Sequence, residues 1–207
     1  MLDFSFRAAN ADDMAAAAAW INENAPAVLG ITAAYAESVL TLTTKGNATV
    51  TISASNSIGA KLSNGSSLWA TSAISSQTVT CYIGREAVLL IGIGVSRDSY
   101  CVIAATKNGN TLIGGSSDSS SSGTINTAKL ACAETLYTGN VPGGSAPSTW
   151  PSVVLFNAPV PNAGGSAYDY CENVFFPGVR QGMYTGKMML GGTEYATFEN
   201  MIWVRGE

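Results

Sequence analysis

Acid–base chemistry in this chain would have to come from six carboxylates, Asp98, Asp118, Asp169, Glu172, Glu194 and Glu199. Cleaving a glycosidic bond needs two such groups, one to protonate the leaving oxygen and one to attack or to activate water. Fourteen acids in 207 residues supply some close pair by chance, so none of the six is assigned a catalytic role. Other chemistries lack their parts. The chain has no histidine, which removes Ser-His-Asp and Cys-His catalysis, histidine metal sites and most general bases near neutrality. It contains no GxSxG elbow and no P-loop, and Gly92-Ile93-Gly94 lacks the third glycine and following helix of a dinucleotide fingerprint. A calcium site on Asp118 has no support from its neighbours. The expectation is a chain with no catalytic residues, no cofactor and no metal.

Cys81, Cys101, Cys132 and Cys171 lie 20, 31 and 39 residues apart, so no CxxC pair exists to build a zinc ribbon or a thioredoxin-type motif. Three of them sit in apolar or aromatic runs, where a thiol behaves as a small buried hydrophobe. Reduced core thiols are expected rather than disulfides. In "SAYDYCENVFF", Tyr168, Tyr170, Phe175 and Phe176 surround Asp169 and Glu172. Aromatic rings beside acids suit sugar binding. The simpler reading is a strand alternating into the core with its Tyr hydroxyls at the edge. With the loops around Trp69 and Trp150, this stretch keeps a bacterial carbohydrate-binding or adhesion domain open as an alternative.

The elements that position these residues are mostly strands. Asn10 is a helix N-cap, Asp12 and Asp13 suit the first turn, and alanine carries a helix from residue 10 to 24, anchored by Trp20 and Ile21. Pro26 stops it. After it, "VLTLTTKGNATVTISAS" alternates about a turn at Lys45-Gly46-Asn47, and further turns fall at Asn64-Gly65, Gly84-Arg85-Glu86 and Asn108-Gly109. Ala87 to Val95 is apolar on both faces, which predicts a central strand covered on both sides. Strands joined by short Gly/Asn turns predict a mainly β fold, an antiparallel sandwich or barrel-like meander.

A Ser/Gly-rich tract at 114–124 reads as a surface loop or as a linker. Six of the seven prolines lie beyond residue 140, and so loop-rich a half would struggle to build its own core. A single domain over 1–207 is therefore expected, with the C-terminal strands pairing back onto the N-terminal sheets.

Charged residues make up only 12% of the chain, against about 25% in ordinary soluble domains. Mean hydropathy is +0.19, yet no apolar run approaches the roughly 18 residues of a membrane-spanning helix. A surface so short of charge points to cover by other subunits. Net charge is −4 with lysines and arginines scattered singly, so neither nucleic acid nor a membrane surface is an expected partner. The N-terminus lacks the basic region of a signal peptide, so synthesis in a cytoplasm is expected. The acceptor patterns at Asn47 and Asn64 then read as turn residues.

The stretch "GKMMLGGTEYATFENMIWVRGE" turns at Gly191-Gly192 and then alternates as a final strand. Ala196, Phe198, Ile202 and Val204 fall on a core face, with Asn200 as the exception. Tyr195, Thr197, Glu199, Met201, Trp203 and Arg205 fall on the other. Tyr195, Met201, Trp203 and Arg205 are the candidate subunit interface, an amphipathic mix enriched at protein contacts. Gly186, Lys187, Met188 to Leu190, Gly191, Gly192 and Tyr195, ending at the basic Arg205, resemble the C-terminal hairpin of small structural proteins of tailed bacteriophages and prophages. "AATKNGNTLIGG" is similar to surface hairpins of the same proteins. The resemblance covers about 40 of 207 residues. It implies a multicopy, non-enzymatic virion component, in head, tail or baseplate, whose partners are itself and other virion proteins.

Overall fold

The computed structural model describes residues 1–53, 58–61, 65, 67–70, 78–93, 99–116, 128–132, 138–141, 153–161, 168–179, 185–198 and 202–207. Side chains are described for all of these except 68–70, 116, 128–132, 138–141, 153–161, 168 and 176–179. Residues 117–124 of the Ser/Gly tract lie outside this set, while Gly114–Ser116 belong to a strand.

The fold is mainly β, with three antiparallel sheets and one α-helix among the described residues. Strand β1 (Leu2–Arg7) leads into α1 (Ala11–Asn24) and a 3-10 turn (Ala27–Leu29). Five strands follow as a meander, β2 (Thr32–Ala36), β3 (Val39–Thr43), β4 (Thr49–Ser53), β5 (Ile58–Lys61) and β6 (Ser67–Ala70), forming one sheet in chain order. Next come β7 (Thr78–Gly84), β8 (Ala87–Ile93), β9 (Ser99–Ala105), β10 (Thr111–Ser116), β11 (Ala128–Cys132) and β12 (Thr138–Val141), joined by β1 in a seven-stranded sheet ordered β1-β7-β8-β9-β10-β11-β12. The remainder, β13 (Val153–Pro161), β14 (Tyr168–Val179), β15 (Gly186–Leu190), β16 (Thr193–Phe198) and β17 (Ile202–Arg205), makes a third sheet ordered β13-β14-β17-β16-β15.

The seven-stranded sheet is the middle layer. On one face, Val79, Cys81, Val88, Leu90, Cys101 and Ile103 pack with Leu40, Leu42, Val50 and Ile52 of the first sheet and with the helix. On the other, Leu89, Ile91, Tyr100, Val102 and Leu112 pack with Val174, Ala196, Phe198, Ile202 and Val204 of the third. This double cover explains why β8 is buried from Ala87 to Ile91 and β9 along its whole length. A strand apolar at every position must be enclosed on both faces.

The C-terminal strands differ from expectation. They do not pair into the N-terminal sheets but form their own sheet, stacked on the middle one with β14 over β9, β17 over β8 and β16 over β7. Stacking buries side chains without requiring a shared register, which period-2 patterning alone does not reveal.

The helix matches its sequence signals. The Asn10 side chain accepts a hydrogen bond from the Asp13 amide at 3.0 Å, capping the first turn. Met14, Ala17, Ala18 and Ile21 form its buried stripe, so Met14 replaces Trp20 as the second core anchor. Trp20 is only half-buried and stacks on Phe4 at 5.4 Å.

Candidate functional site

The β7–β8 and β9–β10 turns share one end of the stack, since Ala87 lies opposite Ala104. Polar groups from all three sheets meet there. From the first sheet, Lys45 in the β3–β4 turn donates through Nζ to the carbonyl of Gly109 in the β9–β10 turn. From the third, Asp169 at the start of β14 accepts from the Asn108 amide at 3.3 Å and from Asn110 Nδ2 at 3.4 Å. The Lys107 amide donates to the Tyr170 carbonyl at 2.8 Å. Lys107 Nζ contacts the Tyr170 hydroxyl at 2.6 Å and lies 5.0 Å from that ring's centre. The bond to Tyr170 raises the pKa of the Lys107 ammonium above its usual value. Asn173 donates through Nδ2 to Glu86 Oε2 at 2.9 Å, from the part of β14 where the register with β13 shifts.

These bonds fasten turn to turn and offer little to a ligand. Asp169 is only 6% exposed, and its carboxylate serves the β9–β10 turn. Glu172 is exposed, and Glu194 lies 3.1 Å from the Met1 nitrogen. The remaining carboxylate candidates, Asp98, Asp118 and Glu199, are outside the described residues, as is Trp150; the side chains of Trp69, Tyr168 and Phe176 are not described. No cluster of three or more His, Cys, Asp or Glu that could hold a metal occurs among the described residues. Cys81, Cys101 and Cys171 are buried thiols; burial raises the pKa of the first two.

The candidate interface divides. The last alternating run is two strands, since Phe198 of β16 lies opposite Ile202 of β17 and the chain reverses between them. Trp203 is 0% exposed and Tyr195 9% within the single chain. Their rings are 5.6 Å apart, and Phe175 meets Tyr195 edge-on at 6.1 Å. Trp203 is therefore a core residue and not an exposed contact. Arg205 is half-buried, its carbonyl accepts from the Arg85 amide at 3.2 Å, and Met201 lies outside the described residues.

Exposed apolar surface lies at the other margin of the third sheet. Gly191 and Gly192, with φ of +58° and +82°, make the two-residue turn of the β15–β16 hairpin, the geometry such turns require. In β15, Met189 is 62% and Leu190 37% exposed. This margin sits beside β1, where Lys187 of β15 ion-pairs with Asp3. The sequence announced the hairpin but not its place at a sheet edge, which depends on strand order. No helix among the described residues is long and apolar enough to cross a membrane. No family model, curated protein or solved structure matches the chain.

Proposed function

We propose that the chain is a non-enzymatic structural component of a tailed-bacteriophage or prophage particle, built into it by contacts with copies of itself and with other virion proteins. The β15–β16 hairpin carries this reading. Of the C-terminal residues that resemble phage structural proteins, Gly186 to Gly192 and Tyr195 fall on this one hairpin, with Arg205 on the adjoining β17, and the hairpin's outer strand exposes Met189 and Leu190. An apolar strand at a sheet edge is a liability on a monomer and a contact in an assembly. The sparse charge, 12% of residues, supports the same reading. A sugar-binding role has less support, because Asp169, Asn110 and Tyr170 spend their polar groups on internal bonds.

The test is particle composition. Particles from a producing strain are purified on a density gradient and their proteins identified by mass spectrometry. The expected result is the chain banding in multiple copies with capsid, portal and tail proteins. Recovery only from the particle-free lysate would overturn the proposal.

A further inference from the structure

We infer that the side of the molecule formed by β1 and β15 is a two-fold interface to a second copy of this chain. This deepens the assembly part of the function proposed above, although it does not require that the assembly be a virion. β1 is the outermost strand of the middle sheet and β15 that of the third. Neither pairs with a further strand on its outer side among the described residues. The ion pair between Lys187 and Asp3 places one edge above the other. The Met1 nitrogen, 3.1 Å from Glu194, holds the start of β1 against β16 in the same way.

Stacked open edges constrain what can dock. A two-fold axis along the stacking direction, passing just outside Asp3 and Lys187, lays β1 antiparallel to the second β1. The same rotation lays β15 antiparallel to the second β15. One operation thus continues both sheets across the contact and satisfies both rows of open backbone groups, the closed self-complementary arrangement of isologous dimers.

The charges fit a copy better than an unrelated partner. A lysine on an edge strand ordinarily deters pairing. Here Lys187 is matched by Asp3, so each copy presents one charge of either sign. Brought together about the two-fold axis, these four charges sum to zero, so the contact carries no excess of either sign from them. The apolar surface agrees, because Leu2 at 48%, Met189 at 62% and Leu190 at 37% exposure are three of the five large hydrophobics exposed among the described residues. All three lie on these two edge strands.

A charge-complementation experiment on the full chain tests the inference, read by sedimentation velocity at tens of micromolar. Wild type is expected to sediment as a dimer or a multiple of it. Lys187→Glu makes this side acidic and Asp3→Lys makes it basic, and each alone should weaken the dimer at least about tenfold, since like-charge contacts are costly. Mixing the two variants should restore a heterodimer. A role for the ion pair only within one chain cannot be rescued by mixing. Met189→Asp, at an exposed position, should also weaken the dimer while circular dichroism stays unchanged. A monomeric wild type overturns the inference, and so does an oligomer indifferent to all three variants. A dimer with these properties that is absent from particles refutes the virion role and leaves the interface standing.

Discussion

At the scale of single residues, burial decides roles that residue type leaves open. Trp203 has the chemistry of an interface anchor, yet it is enclosed beside Tyr195 in its own chain. Trp203→Ala should therefore cost about 3–5 kcal/mol of folding stability, read as a lowered urea midpoint; a change below about 1 kcal/mol would return Trp203 to the surface. Gly84 shows the same dependence on neighbours. A Cβ there would come within 2.2 Å of the Arg205 carbonyl oxygen, the acceptor for the Arg85 amide. Gly84→Ala must push β17 off the β7–β8 turn, at a cost of about 1–3 kcal/mol for overpacking. Faster hydrogen exchange at the Arg85 amide would mark that local displacement, and unchanged exchange with unchanged stability would argue against it.

At the scale of elements, the helix shows how an alanine-rich segment with a narrow stripe is held. Burial of Met14, Ala17, Ala18 and Ile21 gives it a modest apolar contact. A polar clamp adds to this. Asn22 donates through Nδ2 to the Ala33 carbonyl at 2.8 Å and accepts from the Ala33 amide at 2.7 Å. It thereby satisfies both backbone groups of a residue in β2 as a neighbouring strand would. Asn22→Ala strands that amide and carbonyl, and Ala33 is only 8% exposed. The expected loss is about 1–3 kcal/mol, the usual penalty for unsatisfied buried polar groups. Asn24→Ala, which removes a bond to the helix's own Trp20 carbonyl, should cost less; equal losses in thermal melts would deny the clamp its special role.

At the scale of the whole molecule, β8 and β9 belong to both cores, so the outer sheets depend on one middle layer. Unfolding should expose the buried thiols together, with Cys81, Cys101 and Cys171 resisting a thiol reagent in the native state and reacting once the chain unfolds. The same burial gives a pH dependence. The folded protein raises the thiol pKa of Cys81 and Cys101 by desolvation, so the native state holds these protons more tightly than the unfolded chain does. Their contribution is complete below the unfolded thiol value of about 8.5 and is lost as pH rises above it. The urea midpoint should fall between about pH 8.5 and 10, and less steeply in a Cys81→Ala/Cys101→Ala variant. Equal slopes would place that alkaline loss elsewhere.

The sequence by itself determined what local patterning controls. Asn10, Asp12 and Asp13 set the helix start, Lys45 to Asn47 and Gly191-Gly192 set turns, and unbroken apolar character from Ala87 marked a strand covered on both faces. These follow from capping, turn dihedrals and period, which neighbouring residues in the chain dictate. The tertiary structure alone decided which strand became an edge and which faces were enclosed. Met188 to Leu190 and Ile202 to Val204 are similar apolar triplets. β15 ends at the margin of its sheet with Met189 exposed, whereas β17 lies between β14 and β16 with Trp203 buried. Strand order and layer stacking arise from contacts between residues distant in sequence, so an apolar triplet carries no mark of whether a neighbour, a second layer or another copy will cover it.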